Sequence, residues 1–115
     1  MLASVEITID CSDLAASAEF WLAATGYERL YRRPPYEVLG PPAGEAGPVL
    51  VLQAVPAPAP ASRAHLDLRV EDPAGTVERL RGLGATVSAE VEEAGTGWTV
   101  MADPWGTTFC VCRAR

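Results

Sequence analysis

The sequence is poor in several residue types that particular partners and locations require. It contains no lysine, and its formal net charge is −6 at pH 7. Nucleic acids and anionic membranes attract basic surfaces, so neither is expected as a partner. No apolar run approaches the roughly 18 residues that span a bilayer. The opening MLASVEITID lacks the basic start and apolar stretch of a signal peptide, so we expect a cytoplasmic location.

Cysteine and histidine are also scarce. The three cysteines are Cys11, Cys110 and Cys112, an odd number without a CxxC pair, and the only histidine is His65. Cys110 and Cys112 are two residues apart in a predicted strand and so share one face. We expect reduced thiols that pack as small buried side chains rather than a disulfide.

What the chain does contain is sufficient for one folded domain over residues 1–115. Apolar residues make up 49% of the 115 positions and charged residues 21%, which is typical of a globular protein with a real core.

An internal repeat organises the chain. SVEITIDCSD alternates apolar and polar residues like a half-buried strand, and SDLAASAEFWLAATG is typical of a helix that Gly26 ends. AHLDLRVED and DPAGTVERLRGLG repeat this plan, with Gly84 at the second helix end. The two glycines are 58 positions apart, and Glu6 and His65 are 59 apart. The sequence thus predicts two tandem βαβββ units.

The unit boundaries follow from the remaining segments. Three more strands are predicted in each half, near 27–32, 35–40 and 48–54, and near 85–91, 97–102 and 107–113. The first unit covers 1–54 and the second 63–115. The Pro-rich stretch VPAPAPAS, 55–62, is predicted to be a stiff linker between them.

A four-stranded sheet with one helix is covered on one face only. The predicted fold is therefore α+β, with the sheets of the two units forming an open cup around a cleft. By alternation the inner face carries Glu6, Thr8, Val51, Gln53, His65, Asp67, Thr108, Cys110 and Cys112. The position of Gln53 is ambiguous because VLVLQAV is apolar on both faces.

Four segments in this order resemble the vicinal oxygen chelate superfamily, which contains glyoxalases, bleomycin-resistance proteins and dioxygenases. They are IDCSDLAASAEFWLAATGY, RAHLDLRVEDP, VERLRGLGATV and WTVMADPWGTTFCVC. The resemblance is closest to bacterial glyoxalase-like domain proteins and implies the cup-shaped fold, a small-molecule site and a homodimer.

The resemblance also implies where a metal would be bound. The ligand positions of metal-using relatives fall on Glu6, Gln53, His65 and Cys110, and Cys110 stands where a glutamate is usual. We expect no cofactor; the alternative is that this set holds a divalent metal, which would be zinc, nickel, manganese or iron. An iron dioxygenase triad needs two histidines, so dioxygenase activity is not expected.

Two functions remain open. One is a protein that binds a small, largely apolar metabolite or drug without a complete metal site, with Gln53, Asp67, Trp98 and Cys110 as ligand contacts. The other is a divalent-metal lyase or isomerase of the glyoxalase type, acting on a small oxygenated metabolite with Glu6 and His65 as catalytic residues. A Glu6–His65 pair would be either a proton-transfer dyad or a mutually satisfied couple.

The aromatic residues divide into two groups. Phe20 and Trp21 are predicted to pack in the core beneath the first helix. Trp98 and the tyrosines of the second and third strands are predicted to border the cleft. Trp105 in the DPWG turn is either exposed or part of a dimer contact.

Overall fold

A computed structural model describes residues 2–57, 63–93 and 95–115. Residues 58–62 of the predicted linker lie outside the described residues. The chain divides into two compact units, Glu6–His65 and Met1–Val5 with Leu66–Arg115. We use first unit and second unit for the two sets of secondary-structure elements that meet close to these boundaries, one βαβββ set each. Within the described ranges, no helix has the length and apolarity needed to cross a membrane.

The first unit follows the predicted βαβββ order. Strand β1 (Leu2–Cys11) leads to helix α1 (Leu14–Thr25), and strands β2 (Glu28–Arg33), β3 (Tyr36–Gly40) and β4 (Val49–Ala54) follow. The strands are ordered β2-β3-β4-β1, with β1 parallel to β4 and the other pairs antiparallel.

The second unit repeats this plan. It contains β5 (Ala64–Val70), α2 (Pro73–Gly82), β6 (Thr86–Glu93), β7 (Thr96–Ala102) and β8 (Thr108–Arg113). Its strands are ordered β5-β8-β7-β6, and β5 runs parallel to β8. Two mixed four-stranded sets, each with one helix, confirm the predicted α+β class and the tandem βαβββ plan.

The helices begin and end where local chemistry dictates. The Asp13 side chain accepts a hydrogen bond from the Ala16 N–H at 3.0 Å, and Gly26 ends α1 at a left-handed φ of 74°. In α2 the carboxylate of Asp72 accepts from Gly75 N at 3.1 Å. This helix ends at Gly82, two residues before the predicted Gly84, which has a φ of 104° in the following turn.

Each helix packs on one face of its own four strands. In the first unit α1 contributes Leu14 and Ala18 to a core with residues of β3 and β4. In the second, Val77 and Leu80 of α2 pack on a core of Val70, Met101 and Val111. Trp21 packs at the edge of the first core, but the prediction for Phe20 was wrong. Phe20 is 62% exposed because it precedes Trp21 by one helical position and points away from the strands.

The opposite face of each four-stranded set, which we call the helix-distal face, carries the predicted functional residues. In β1 the residues Ile7 and Ile9 pack towards α1, so the alternating residues Glu6 and Thr8 belong to the helix-distal face. Both are only 3% exposed. The predicted alternation of β1 is therefore confirmed.

Candidate functional site

The helix-distal face of the second unit brings Asp67 next to Cys110. Strand register places Asp67 of β5 opposite Cys110 of β8, and Cys110 opposite Val100 of β7. Asp67 is 7% exposed and Cys110 5%, so a carboxylate and a thiol lie on neighbouring strands and both are buried. A buried carboxylate needs a compensating partner, and Asp67 takes part in a further interaction within the chain.

His65 joins these two residues. It precedes Asp67 by two positions on β5, and one ligand atom each of His65, Asp67 and Cys110 lies within 4.8 Å of the other two. Imidazole nitrogen, carboxylate oxygen and thiolate sulfur are all donors that zinc and iron(II) accept. The set fits a divalent transition metal with at least one open position.

Trp98 lies on the same face, two residues along β7 from Val100, which pairs with Cys110. It is half-buried on β7 and stands opposite Cys112, which is 7% exposed, and opposite Val91 of β6. The three cysteines are free thiols, and Cys110 and Cys112 are buried as predicted. Arg69 on β5 donates from Nη1 to the Arg113 carbonyl at 3.2 Å. This part of the face therefore combines a large aromatic surface with small apolar side chains.

In the first unit Gln53 occupies a different place from Glu6. Register sets Glu6 opposite Val49 and Gln53 opposite Asp10, four positions further along β1. Gln53 is half-buried and lies between Asp10 and Tyr36 of β3. The register resolves the ambiguity of VLVLQAV: Leu50 and Leu52 join the helix core, so Gln53 belongs to the helix-distal face.

The register also shows which residues of the two units occupy equivalent positions, and for Cys110 this is not Gln53. Thr8 pairs with Val51 in the first unit, and Asp67 pairs with Cys110 in the second. Both second-unit residues lie 59 positions after their counterparts, from 8 to 67 and from 51 to 110. Val51 is thus the counterpart of Cys110, two residues before Gln53. The predicted catalytic, ligand and metal roles stay predictions for all six site residues: Glu6, Gln53, His65, Asp67, Trp98 and Cys110.

Two acidic residues were not singled out from the sequence. Oδ1 of Asp10 is buried without a hydrogen-bond partner among the described residues, and both carboxylate oxygens of Glu37 are in the same condition. Asp10 continues the alternation of Glu6 and Thr8 and is detectable from that signal. Glu37 lies in the short segment YEVLG, where no sequence pattern predicts a buried charge.

Comparison with known families decides the classification. The family model of the glyoxalase-like domain matches residues 6–112. The chain belongs to the glyoxalase-like domain family. Comparison with curated proteins gave no match.

Several solved structures share the fold of this chain. A glyoxalase/bleomycin resistance protein/dioxygenase superfamily member from Vibrio splendidus has a TM-score of 0.65 at 19% identity, covering 98% of this chain and 99% of that one. Methylmalonyl-CoA epimerase from Mycobacterium tuberculosis has a TM-score of 0.73 at 14% identity, covering 99% and 89%. A Streptomyces coelicolor methylmalonyl-CoA epimerase variant in complex with 2-nitronate-propionyl-CoA has a TM-score of 0.70 at 18% identity, covering 99% of each chain.

Proposed function

We propose that this glyoxalase-like protein binds a small, largely apolar metabolite or drug at its helix-distal surfaces, without a complete metal site. The observation that carries the proposal is the composition of the second unit's helix-distal face. There a half-buried Trp98 and the apolar Val91 and Val100 adjoin two buried polar positions, Asp67 and Cys110. Small-molecule sites are mainly apolar and aromatic, with a few polar groups that orient the ligand.

Gln53 is the proposed ligand contact on the helix-distal face of the first unit. Its side-chain amide offers both donors and acceptors, and its half-buried position keeps it accessible to a ligand. The partner is thus a small molecule rather than a nucleic acid or a membrane. We further propose a cytoplasmic homodimer, and sedimentation at micromolar concentration that detects only a monomer would contradict the dimer.

A second candidate function is favoured by one observation, the convergence of His65, Asp67 and Cys110. In this alternative the protein is a divalent-metal lyase or isomerase of the glyoxalase type. Those three residues would hold zinc, nickel, manganese or iron, with Glu6 and Gln53 as the other predicted ligands. A bound metal would polarise an oxygen of a small oxygenated substrate.

The residues of the chain would handle the proton in this alternative. Glu6 is 3% exposed, and a buried carboxylate that is kept away from water is suited to take a proton from carbon and return it. His65 is the other candidate base. If either is catalytic, Glu6→Ala or His65→Ala abolishes turnover; if the two are only a structural pair, the variants mainly lose stability.

Metal content and chelator sensitivity separate the two functions. The protein is purified without added metal, its metals are measured by elemental analysis, and its melting temperature is followed with aromatic and drug-like compounds before and after EDTA. The binding function predicts less than stoichiometric metal and ligand shifts that survive the chelator. About one metal per chain, lost in Cys110→Ala and kept in the matched Cys112→Ala, would instead establish the metal-dependent enzyme.

A further inference from the structure

Each unit ends in a strand that has a hydrogen-bonded neighbour on one side only. In the first unit β2 pairs with β3, in the second unit β6 pairs with β7, and no described strand lies on the other side of either. Such an edge presents unpaired backbone N–H and C=O groups, and a strand of another chain can add to it.

The two edge strands carry opposite charges. Strand β2, ERLYRR, ends in Arg32 and Arg33, which are both exposed. Strand β6, TVSAEVEE, ends in Glu92 and Glu93, which are also exposed, and Glu90 adds a third carboxylate. We call β2 the basic edge and β6 the acidic edge. Consecutive residues of a strand point to opposite faces, so each edge carries its charge on both faces.

These charges are not neutralised within one copy of the chain. Among the described residues, none forms an ion pair with Arg32 or Arg33, and none with Glu92 or Glu93. Charges of one sign keep two identical edges apart, because like charges on neighbouring strands repel each other. The signs on β2 and β6 therefore oppose pairing between like edges and favour one pairing alone, that of a basic edge with an acidic edge.

Apolar side chains accompany the charges on both edges. On the basic edge Leu30 is 50% exposed and Tyr31 41%, directly before Arg32. On the acidic edge the half-buried Val91 directly precedes Glu92. Protein interfaces combine an apolar centre with a polar rim, and tyrosine and arginine are enriched in them. The edges therefore suit a protein strand, and a second copy of this chain carries both complementary edges.

We propose that the basic edge of one copy pairs with the acidic edge of a second copy. The inference rests on the proposed homodimer and specifies its contact. The two strands complete each other's backbone hydrogen bonds, and the two arginines of β2 form ion pairs with the glutamates of β6. Cross-strand neighbours are about 5 Å apart when directly opposite and about 7–8 Å apart on the diagonal, and these long side chains span both distances.

Charge reversal on one edge at a time tests this contact. A single exposed ion pair contributes little to stability, so each variant reverses two charges. The basic-edge variant is Arg32→Glu with Arg33→Glu, and the acidic-edge variant is Glu92→Arg with Glu93→Arg. Sedimentation velocity of the full chain at micromolar concentration measures self-association, and the melting temperature of each variant confirms that it is folded.

The matched control changes the net charge without touching either edge. Arg79→Glu with Arg81→Glu reverses two exposed charges of α2 and should associate like the wild type. Each edge variant should associate at least about tenfold more weakly, because attractive contacts become repulsive. An equimolar mixture of the two edge variants should recover the association of the wild type, since every basic-with-acidic pairing between them again joins opposite charges.

Three results would overturn the proposal. A folded edge variant that associates like the wild type, or a mixture of folded variants that stays monomeric, would remove this contact and leave the homodimer to another surface. A monomeric wild type would remove both the contact and the homodimer. The small-molecule binding function has its own readout, the ligand-induced shift of the melting temperature, and is unaffected by these outcomes. If one edge variant does not fold, the other decides alone.

Discussion

Nε of Arg29 lies 2.5 Å from Oε1 of Glu37, and the Glu37 side chain is completely buried whereas that of Arg29 is 48% exposed. Glu37 stands opposite Leu52, so the carboxylate lies on the same face of β3 and β4 as the α1 core. Neither carboxylate oxygen has a hydrogen bond of regular geometry among the described residues. The close approach of the guanidinium is therefore the compensation that the structure provides for this buried charge.

Replacement of Arg29 should destabilise the first unit. Arg29→Gln removes the cation and leaves the carboxylate of Glu37 buried and uncompensated. A fully buried pair would lose more, but solvent screens the half-exposed guanidinium, so we expect a loss of about 1–3 kcal/mol in the free energy of unfolding. Urea denaturation followed by circular dichroism measures it.

Arg33→Gln is the matched control for that measurement. Arg33 is an exposed residue of the same strand on the opposite face, and its replacement should change the unfolding free energy by less than about 0.5 kcal/mol. The compensation argument would be refuted if Arg29→Gln were as stable as Arg33→Gln.

The DPWG turn before β8 should make stability depend on acid pH. Backbone N–H groups of Thr107 and Trp105 each donate to Oδ1 of Asp103 at 2.9 Å. The Thr107 bond is the largest cause that lowers the pKa of Asp103 below its ordinary 3.8, since hydrogen bonds favour the charged carboxylate. The folded state then holds the proton less tightly than the unfolded state. The resulting stabilisation is present above pH 3.8 and is lost as the pH falls through the lowered folded pKa.

Asp103→Asn tests this dependence because asparagine keeps an acceptor oxygen but carries no charge. The melting temperature of the wild type should exceed that of Asp103→Asn at pH 7, and the difference should shrink on acidification below pH 3.8. A difference that stays constant from neutral to acid pH would show that the charge of Asp103 contributes nothing to the turn.

The parts of this structure that could be predicted from the sequence are those with local causes. The alternation around Glu6 and His65, the capping residues and the DPWG turn each depend on a few consecutive residues. The Arg29–Glu37 pair could not be predicted, because a bulge between Arg29 and Tyr31 shifts the register of β2 against β3. The same reason applies to the candidate site. Asp67 was expected on the functional face, but its position beside Cys110 comes from a pairing between strands more than 40 residues apart.

Two glycines at helix ends should respond to alanine with opposite signs. Gly26 has a φ of 74° that an L-residue adopts only with strain, so Gly26→Ala should cost about 1–2 kcal/mol although nothing lies within 4 Å of the added Cβ. Gly82 also has open space around its Cβ position, but it is the last residue of α2. Gly82→Ala should therefore be neutral or stabilising by up to about 1 kcal/mol.

Thermal or urea unfolding of the two variants measures both signs in one experiment. If Gly26→Ala were as stable as the wild type, the left-handed end of α1 would have to be replaced by another backbone conformation. A loss in Gly82→Ala would mean that α2 ends earlier than Gly82 in solution.

Trp98 and Trp105 should contribute differently to ligand binding. Trp98 is half-buried on the helix-distal face of the second unit, whereas Trp105 is 87% exposed in the DPWG turn. If the ring of Trp98 contacts the ligand, an aromatic probe should bind more tightly than its saturated analogue. We therefore compare benzyl alcohol with cyclohexylmethanol and expect a preference of about three- to tenfold for the aromatic ring.

Trp98→Leu should abolish this preference, because leucine keeps an apolar surface but loses the aromatic one. Trp105→Leu removes the same ring from a position outside the proposed site and should retain the preference in full. NMR titration measures six affinities, those of both probes for the wild type and the two variants, and the melting temperature of each variant confirms that it remains folded. The opposite result, a preference that depends on Trp105 and not on Trp98, would place the ligand at the DPWG turn and remove Trp98 from the binding surface.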